Sequence, residues 1–440
     1  MIQTERPEHR GSLAIICLLG SLPAFTSLKL GSLQPEDLVL LFLMGLCIAQ
    51  SLYSGFSFNF RSNLGRLSFS YSLLVASLFL LAILDLRLKF YPLDNVSLLK
   101  QPAVLPFIRL LQFASMIYGF FWLIRAFLRR KELLVLAMNV YWRIGIVSCW
   151  YAILSYLGIR AFHLPAVSPT IFGAYSSDGS LSSLRACGFF NEGGPFGLYL
   201  VSVFVLGLLR RYMTKRHLGA GNTVVLLLAF FLSASKAGLL AAAFLALYSG
   251  ISAASVRRRV YYLMLSASVL VSAAIWMDLG NHLLSYVVSF QNVELNVDLV
   301  GDDPNVVLGR IAALYIVPKM IVAHPITGIG IGNYPLVRND PDFLGFLPTI
   351  TDLEDQPGLG FPGIAAEFGI PATLWLVVLL FHPYWVSRKK ASIVGIAALF
   401  QPLAHAFSVQ LTFFYPWFVS ACALATCLDE RKHETKAGNS

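Results

Sequence analysis

The chain has 440 residues, 57% of them hydrophobic and 13% charged, with a mean hydropathy of +0.70. A soluble domain carries about 25% charged residues, so roughly half the ionic groups needed to cover a water-exposed surface of this size are missing. That excludes a disordered protein, a nucleic-acid binder and an ordinary cytosolic enzyme, and leaves a multi-span membrane protein.

Apolar runs long enough to span occur at about 12–30, 37–55, 68–87, 103–124, 133–158, 195–209, 221–235, 237–254, 260–277, 362–384, 391–408 and 410–427. The expected fold is therefore an all-α polytopic membrane protein, a single membrane domain over 1–440 with about 12 transmembrane helices. Arg6 and Arg10 before the first run have the outline of a signal peptide. With so many spans following and no convincing cleavage site, the run reads as the first helix. The net charge of +10 is gathered in short clusters between runs: Arg61/Arg66, Arg125 to Lys131, Arg210 to Arg216, Arg257 to Arg259, Arg388 to Lys390, and the tail. A cytoplasmic N-terminus puts every cluster inside, as the positive-inside rule requires, with the C-terminus inside as well.

The connections at 160–194 and 278–361 then fall outside. The second lies between helices 9 and 10 and holds ten acids against Arg310, Lys319 and Arg338. Within it, 306–323 is apolar enough to suggest a further span. Arg310, Pro318, Lys319 and the parity of the clusters argue instead for an amphipathic helix, lying on the outer membrane face or packed on the bundle. Six cysteines show no CxxC or metal-ligand spacing, and no nucleotide fingerprint or zinc set occurs, so neither cofactor nor metal is expected.

Twelve of the 33 Lys and Arg residues lie outside the cytoplasmic clusters. Charges in or beside a bilayer are costly, so function is sought among these. Lys236, in LSASKAG, sits between two runs with almost no loop. Its two readings are a snorkelling lysine and a cation at a cavity mouth flanked by small residues. Arg185, in RACGFFNEGGPFGLYL, precedes a helix whose free amides can add to its guanidinium in holding phosphate. Arg310 opens the amphipathic segment, and together these three can converge on one diphosphate. Arg338 and Arg143 are further candidate substrate contacts; Arg143 and Arg109 are also candidates to pair with Asp85 or Glu367. Glu367, in AAEFGIP, is either such a partner or a general base with a pKa raised by burial. His324 and His405 lack metal-ligand companions and read as structural.

Four stretches, in order, resemble the O-antigen ligase / Wzy-type polymerase family of the bacterial envelope. RACGFFNEGGPFGLYL resembles its Arg-x-x-Gly-Phe turn, and SASKAGLLAAAFLAL its Ser-x-Ser-Arg/Lys helix start. GRIAALYIVPKMIVAHPITGIGIGNY resembles its loop helix with His-Pro-x-x-Gly-x-Gly, and AAEFGIPATLWL its Ala-Glu-x-Gly start to the next span. They cover about 180–380. The family's usual His-Asn pair is absent here: its place falls near Gly358-Leu359.

The resemblance implies a fold like the GT-C membrane glycosyltransferases. It also implies a metal-independent, inverting glycosyl transfer at the outer face of the inner membrane, from a saccharide on undecaprenyl diphosphate. Taken with the charges read above, the expected catalytic residues are Glu367, Arg310 and Arg185, with Lys236, Arg185, Arg310, Arg338 and Arg143 holding substrate. The missing histidine favours polymerisation of lipid-linked repeat units into O-antigen or exopolysaccharide. The alternatives are ligation onto lipid A core or protein and, in another class, transport of a lipid-linked sugar or polysaccharide. Implied partners are the lipid-linked glycan, membrane lipid, a chain-length regulator and a flippase, and no nucleic acid.

Overall fold

A computed structural model describes residues 7–26, 34–54, 62–86, 104–162, 174–175, 184–190, 192–252, 255–257, 259–261, 263–264, 266–267, 310–345, 347, 357–388 and 392–437. The helices are α1 (Pro7–Ser21), α2 (Pro35–Ser54), α3 (Asn63–Leu86), α4 (Leu105–Arg129), α5 (Lys131–Phe162), α6 (Gly193–Thr214), α7 (Ala220–Leu232) and α8 (Lys236–Ile251). They continue with α9 (Arg310–Ala323), α10 (Tyr334–Val337), α11 (Pro341–Leu344), α12 (Phe361–Phe368), α13 (Ile370–Ser387), α14 (Ser392–Ala406) and α15 (Phe414–Ala437). Among the described residues the only strands are β1 (Ala174–Tyr175) and β2 (Arg185–Ala186), an antiparallel pair with Tyr175 opposite Arg185.

Five helices are long and apolar enough to cross a membrane, α3, α4, α5, α6 and α13, and shorter apolar helices accompany them. The protein is an all-α, multi-pass membrane protein. The run expected at 260–277 lies largely outside the described residues, as do the stretches 278–309 and 348–356 of the long connection.

Tight packing rather than water exclusion must hold helices together in lipid, and small residues allow it. The buried face of α15 runs through Ser420, Ala421, Cys422, Ala423 and Ala425. At its start, Trp417 is fully buried and meets Tyr71, Phe113 and Phe120 edge-on, with ring centroids 5.9, 6.1 and 5.9 Å away. That cluster ties α3 and α4 to α15. On α6, Gly207 lies where a Cβ would press into the Trp142 ring of α5.

The bundle has two chemically different ends. At one, Lys131 Nζ is 3.0 Å from Asp429 Oδ2, and Arg210 lies 5.5 Å from the Trp142 ring centroid. This end collects the start of α5, the end of α6 and the end of α15, with their basic clusters. The other end holds the starts of α4, α6, α8 and α15 and the strand pair.

One expectation changes here. The run at 362–384, read as one span, is two helices broken at Gly369, whose φ is +78°. There the Ile370 amide leaves the helical ladder and donates to the Pro325 carbonyl at 2.8 Å, so the span α13 begins after Glu367 rather than before it. The amphipathic segment is a helix from Arg310 that packs on the protein. Ala312, Ala313, Ile316, Val317 and Met320 form a second core with Tyr334, Phe343, Leu344 and Ala366, and Lys319 stands 3.7 Å from the Tyr315 ring centroid. Leu314 and Val322 remain exposed.

Candidate active site

The segment His324 to Tyr334 follows α9 and carries Gly328, Gly330 and Gly332, all with positive φ. It is laced to the end of α12. The Ile329 amide donates to Ala366 O at 2.8 Å, and the Gly330 amide to Glu367 O at 3.0 Å. A Cβ at Gly328 would collide with the Glu367 carbonyl, and one at Gly369 with the Ile326 carbonyl. The two segments therefore meet backbone to backbone, which accounts for their glycines.

This lacing fixes the Glu367 carboxylate, whose Oε1 accepts the Gly332 amide at 3.1 Å. Burial pushes the carboxyl up to about 7, while the Gly332 amide, the Arg109 guanidinium and the Tyr334 amide hold it below what burial alone would give. Arg109, in the first turns of α4, is positioned in turn. Its Nη1 donates to Gln112 Oε1 at 3.3 Å, and Gln112 Nε2 donates to Asp37 Oδ2 at 2.8 Å. The Gln34 amide also donates to that Asp37 oxygen, at 2.7 Å. A line of polar groups thus runs from α2 through α4 to α12.

Arg109 and Glu367 line a cavity of about 260 Å³ together with Gly332, His405, Gln410 and Thr412. His405 is fully buried, and its Nδ1 lies 2.9 Å from the Val409 carbonyl. A carbonyl only accepts, so Nδ1 carries the proton and Nε2 is the bare nitrogen, with no partner among the described residues. Ser408 at the rim has φ +70° and donates to the Gly358 carbonyl. Glu367 also lines a second cavity, of about 110 Å³, whose far wall is the face of α3 carrying Leu78, Leu81, Ala82 and Leu84.

The sequence-derived cations are placed as follows. Arg185, on β2, is exposed, and its Cβ approaches Gly193 at the start of α6, where the Ser233 carbonyl also closes in. Ser235 caps α8 by accepting the Gly238 amide at 3.0 Å and donates to the Gly194 carbonyl at 2.8 Å. Ala234, just before Ser235, is held at φ +48°, a left-handed conformation uncommon outside glycine. The Arg185 strand and the Lys236 helix start thus form one corner on α6. Phe190, Tyr199, Phe413 and Tyr415 pack between this corner and the loop that rims the cavity.

Arg310 begins α9, and its side chain lies outside the described ones. Arg338 is fully buried at the end of α10. Arg143 is exposed beside Arg210, whose charge it opposes, toward the basic end of the bundle. Of the two arginines considered as partners for Glu367, Arg109 is the one whose charge acts on it; the Asp85 side chain lies outside the described ones. Sequence reasoning left out Arg109, Gln112 and His405 as site residues. Only Arg109 gave a signal, as a cation outside the cytoplasmic clusters.

No curated protein matches the chain. Residues 221–377 match the family model described as O-antigen ligase, Wzy_C, and this stretch runs from α7 through the glycine-laced loop and Glu367 into α13. Over residues 221–377 the chain is thus similar to the O-antigen ligase family.

Proposed function

We propose that the protein polymerises undecaprenyl-diphosphate-linked oligosaccharide units into O-antigen or exopolysaccharide at the outer face of the bacterial inner membrane, both termini being cytoplasmic. The observation that carries this reading is the cavity lined by both Arg109 and Glu367, whose carboxyl burial pushes up to about 7. Inverting transfer needs a base for the acceptor hydroxyl and fixed positive charge for the departing diphosphate. Glu367 takes the hydroxyl proton as the oxygen attacks the anomeric carbon. The bond from that carbon to the diphosphate oxygen breaks with its electron pair, and Arg109 stabilises the charge that develops, so the step itself calls on no metal.

A polymerase handles two lipid-linked substrates, and the protein offers a second set of cations. Arg185 and Lys236 on the corner, with Arg310, hold the second anionic group, either the acceptor's own diphosphate or its acidic sugars. Arg338 and Arg143 stand outside this arrangement, the first buried in the loop core and the second at the basic end.

The stretch Pro357 to Gly360 favours polymerisation, because it supplies glycine and leucine where the resembling family has its His-Asn pair. A ligase is the second reading, favoured by the description of the matching family model. Purified protein in vesicles with labelled lipid-linked oligosaccharide tests the proposal. New glycosidic bonds yielding longer lipid-linked glycans support it; transbilayer movement without bond formation points to a transporter and defeats it. A deletion strain separates the enzymatic readings: single repeats on the acceptor indicate a polymerase, long chains left on the carrier lipid a ligase.

A further inference from the structure

Arg143 takes no part in the chemistry above. It lies well inside the membrane-crossing helix α5, where a charge is costly. It is exposed and has no hydrogen-bond or ion-pair partner among the described residues. Its charge falls on Arg210 of α6, and so does that of Arg216, in the connection from α6 to α7. Both repel Arg210, and no carboxylate is among the groups that act on it. Asp429, an acid of this end of the bundle, is paired with Lys131 instead.

Arg210 is held only by neutral groups. Its guanidinium stands 5.5 Å from the Trp142 ring centroid, and Nη1 and Nη2 donate to Asn139 Oδ1 and the His217 carbonyl, each at a long 3.4 Å. Its Nε is buried without a partner among the described residues. Three guanidinium groups from α5, α6 and the connection thus gather with no counter-charge, an arrangement that an entering anion relieves. Helical spacing then adds an apolar surface. Val147, Trp150 and Leu154 follow Arg143 on one face of α5, and they are 55%, 49% and 62% exposed. A soluble anion would meet the three charges and leave that face unused, whereas an anion with a hydrocarbon tail meets both.

We propose that Arg143, Arg210 and Arg216 form a binding site for the phosphate headgroup of an anionic phospholipid in the leaflet at the basic end, with an acyl chain lying along Val147, Trp150 and Leu154. The guanidinium N–H groups donate to the phosphate oxygens, the charge-assisted geometry that arginine suits best. Basic pockets between membrane helices take such headgroups. The site lies at the other end of the bundle from Arg109 and Glu367, and it stands whether or not the glycosyl-transfer reading does. It also gives Arg143 a ligand of the same phosphate chemistry as the one expected from the sequence, but in the membrane rather than in the reacting cavity.

The test uses the full-length protein in a neutral detergent, titrated separately with phosphatidylglycerol, cardiolipin, phosphatidylcholine and inorganic diphosphate, with occupancy read by native mass spectrometry. The two anionic lipids should bind at least about tenfold more tightly than phosphatidylcholine. Arg143→Gln and Arg216→Gln should each weaken that binding by about tenfold, as expected for the loss of a charge-assisted hydrogen bond. Arg125→Gln, which removes an exposed cation of the same end on α4, should leave it within about twofold. In wild-type protein, phosphatidylglycerol with a diazirine in its acyl chain should label α5 between 143 and 157, a readout that does not depend on a variant folding. Equal binding of phosphatidylcholine, an equal loss in Arg125→Gln, or labelling confined to other helices overturns the site. Diphosphate that binds as tightly as the anionic lipids assigns the arginines to a soluble anion and overturns the lipid as occupant.

Discussion

The end of the bundle away from the basic clusters carries two charged places built on opposite principles. At the Arg185–Lys236 corner the cations sit on turns, one on a two-residue strand and one at a helix start, held by serine–glycine contacts. In the Arg109–Glu367 cavity the charges come from two helices and a glycine-laced loop, and each is fixed by a second layer: Gln112 and Asp37 behind Arg109, and the Gly332 amide before Glu367. Exposed cations attract and steer an anionic substrate but leave proton affinities nearly unchanged. A carboxyl pushed up by desolvation and held down by a nearby guanidinium has its proton affinity set by its site. The first place suits binding, the second chemistry.

Breaking the comparison begins with the corner. Replacing Arg185, Lys236 and Arg310 one at a time by alanine is expected to abolish chain lengthening in cells with protein levels near normal, as read on gels of the surface glycan. Long chains from all three variants would remove the corner from the site. Next in size is the lacing. Gly328→Ala sets a methyl group against the Glu367 carbonyl at a positive φ, and it should lower stability by about 1–3 kcal/mol and disorder the carboxylate. Loss of activity and a reduced melting temperature would appear together.

Arg109→Met sharpens the contrast. Because Arg109 holds the Glu367 carboxyl down, its removal lets burial raise the carboxyl above 7. The acid limb of the rate profile, expected near pH 7 in the wild type, should move to higher pH by about 1 unit. In vesicles, at donor concentrations high enough to restore turnover, Arg185→Met should leave the limb in place, its effect falling on KM. The smallest expected effect is at Ala234: glycine at φ +48° relieves strain, and Ala234→Gly should raise stability by about 1 kcal/mol in a thermal melt.

The corner was legible in the sequence because its parts are local. Arg-Ala-Cys-Gly-Phe and Ser-Ala-Ser-Lys each announce a turn before a helix, and the basic clusters fix which end of the bundle they occupy. Glu367 was legible as a costly carboxylate in an apolar stretch. Its partner was legible only as one of two candidate arginines, since Arg109 lies 258 positions earlier and the packing of α4 against the loop is what selects it. The helix break at Gly369 was hidden for a related reason. Gly-Ile-Pro interrupts an apolar run without ending it, and the break is decided by the Pro325 carbonyl that captures the Ile370 amide. His405 read as a lone core histidine because the loop from Ser408 to Thr412, which brings the cavity to it, carries no pattern of its own.

The central claim is that Glu367 deprotonates the acceptor in this cavity. The most direct measurement is the initial rate of glycosidic-bond formation in proteoliposomes between pH 5.5 and 8.5, for wild type and Glu367→Gln. The wild-type rate should fall about tenfold per pH unit below 7, and Glu367→Gln should lose about 10²–10⁴ in rate with no acid limb left. A Glu367→Gln protein that works at the wild-type rate, or that keeps the same limb, would contradict the assignment.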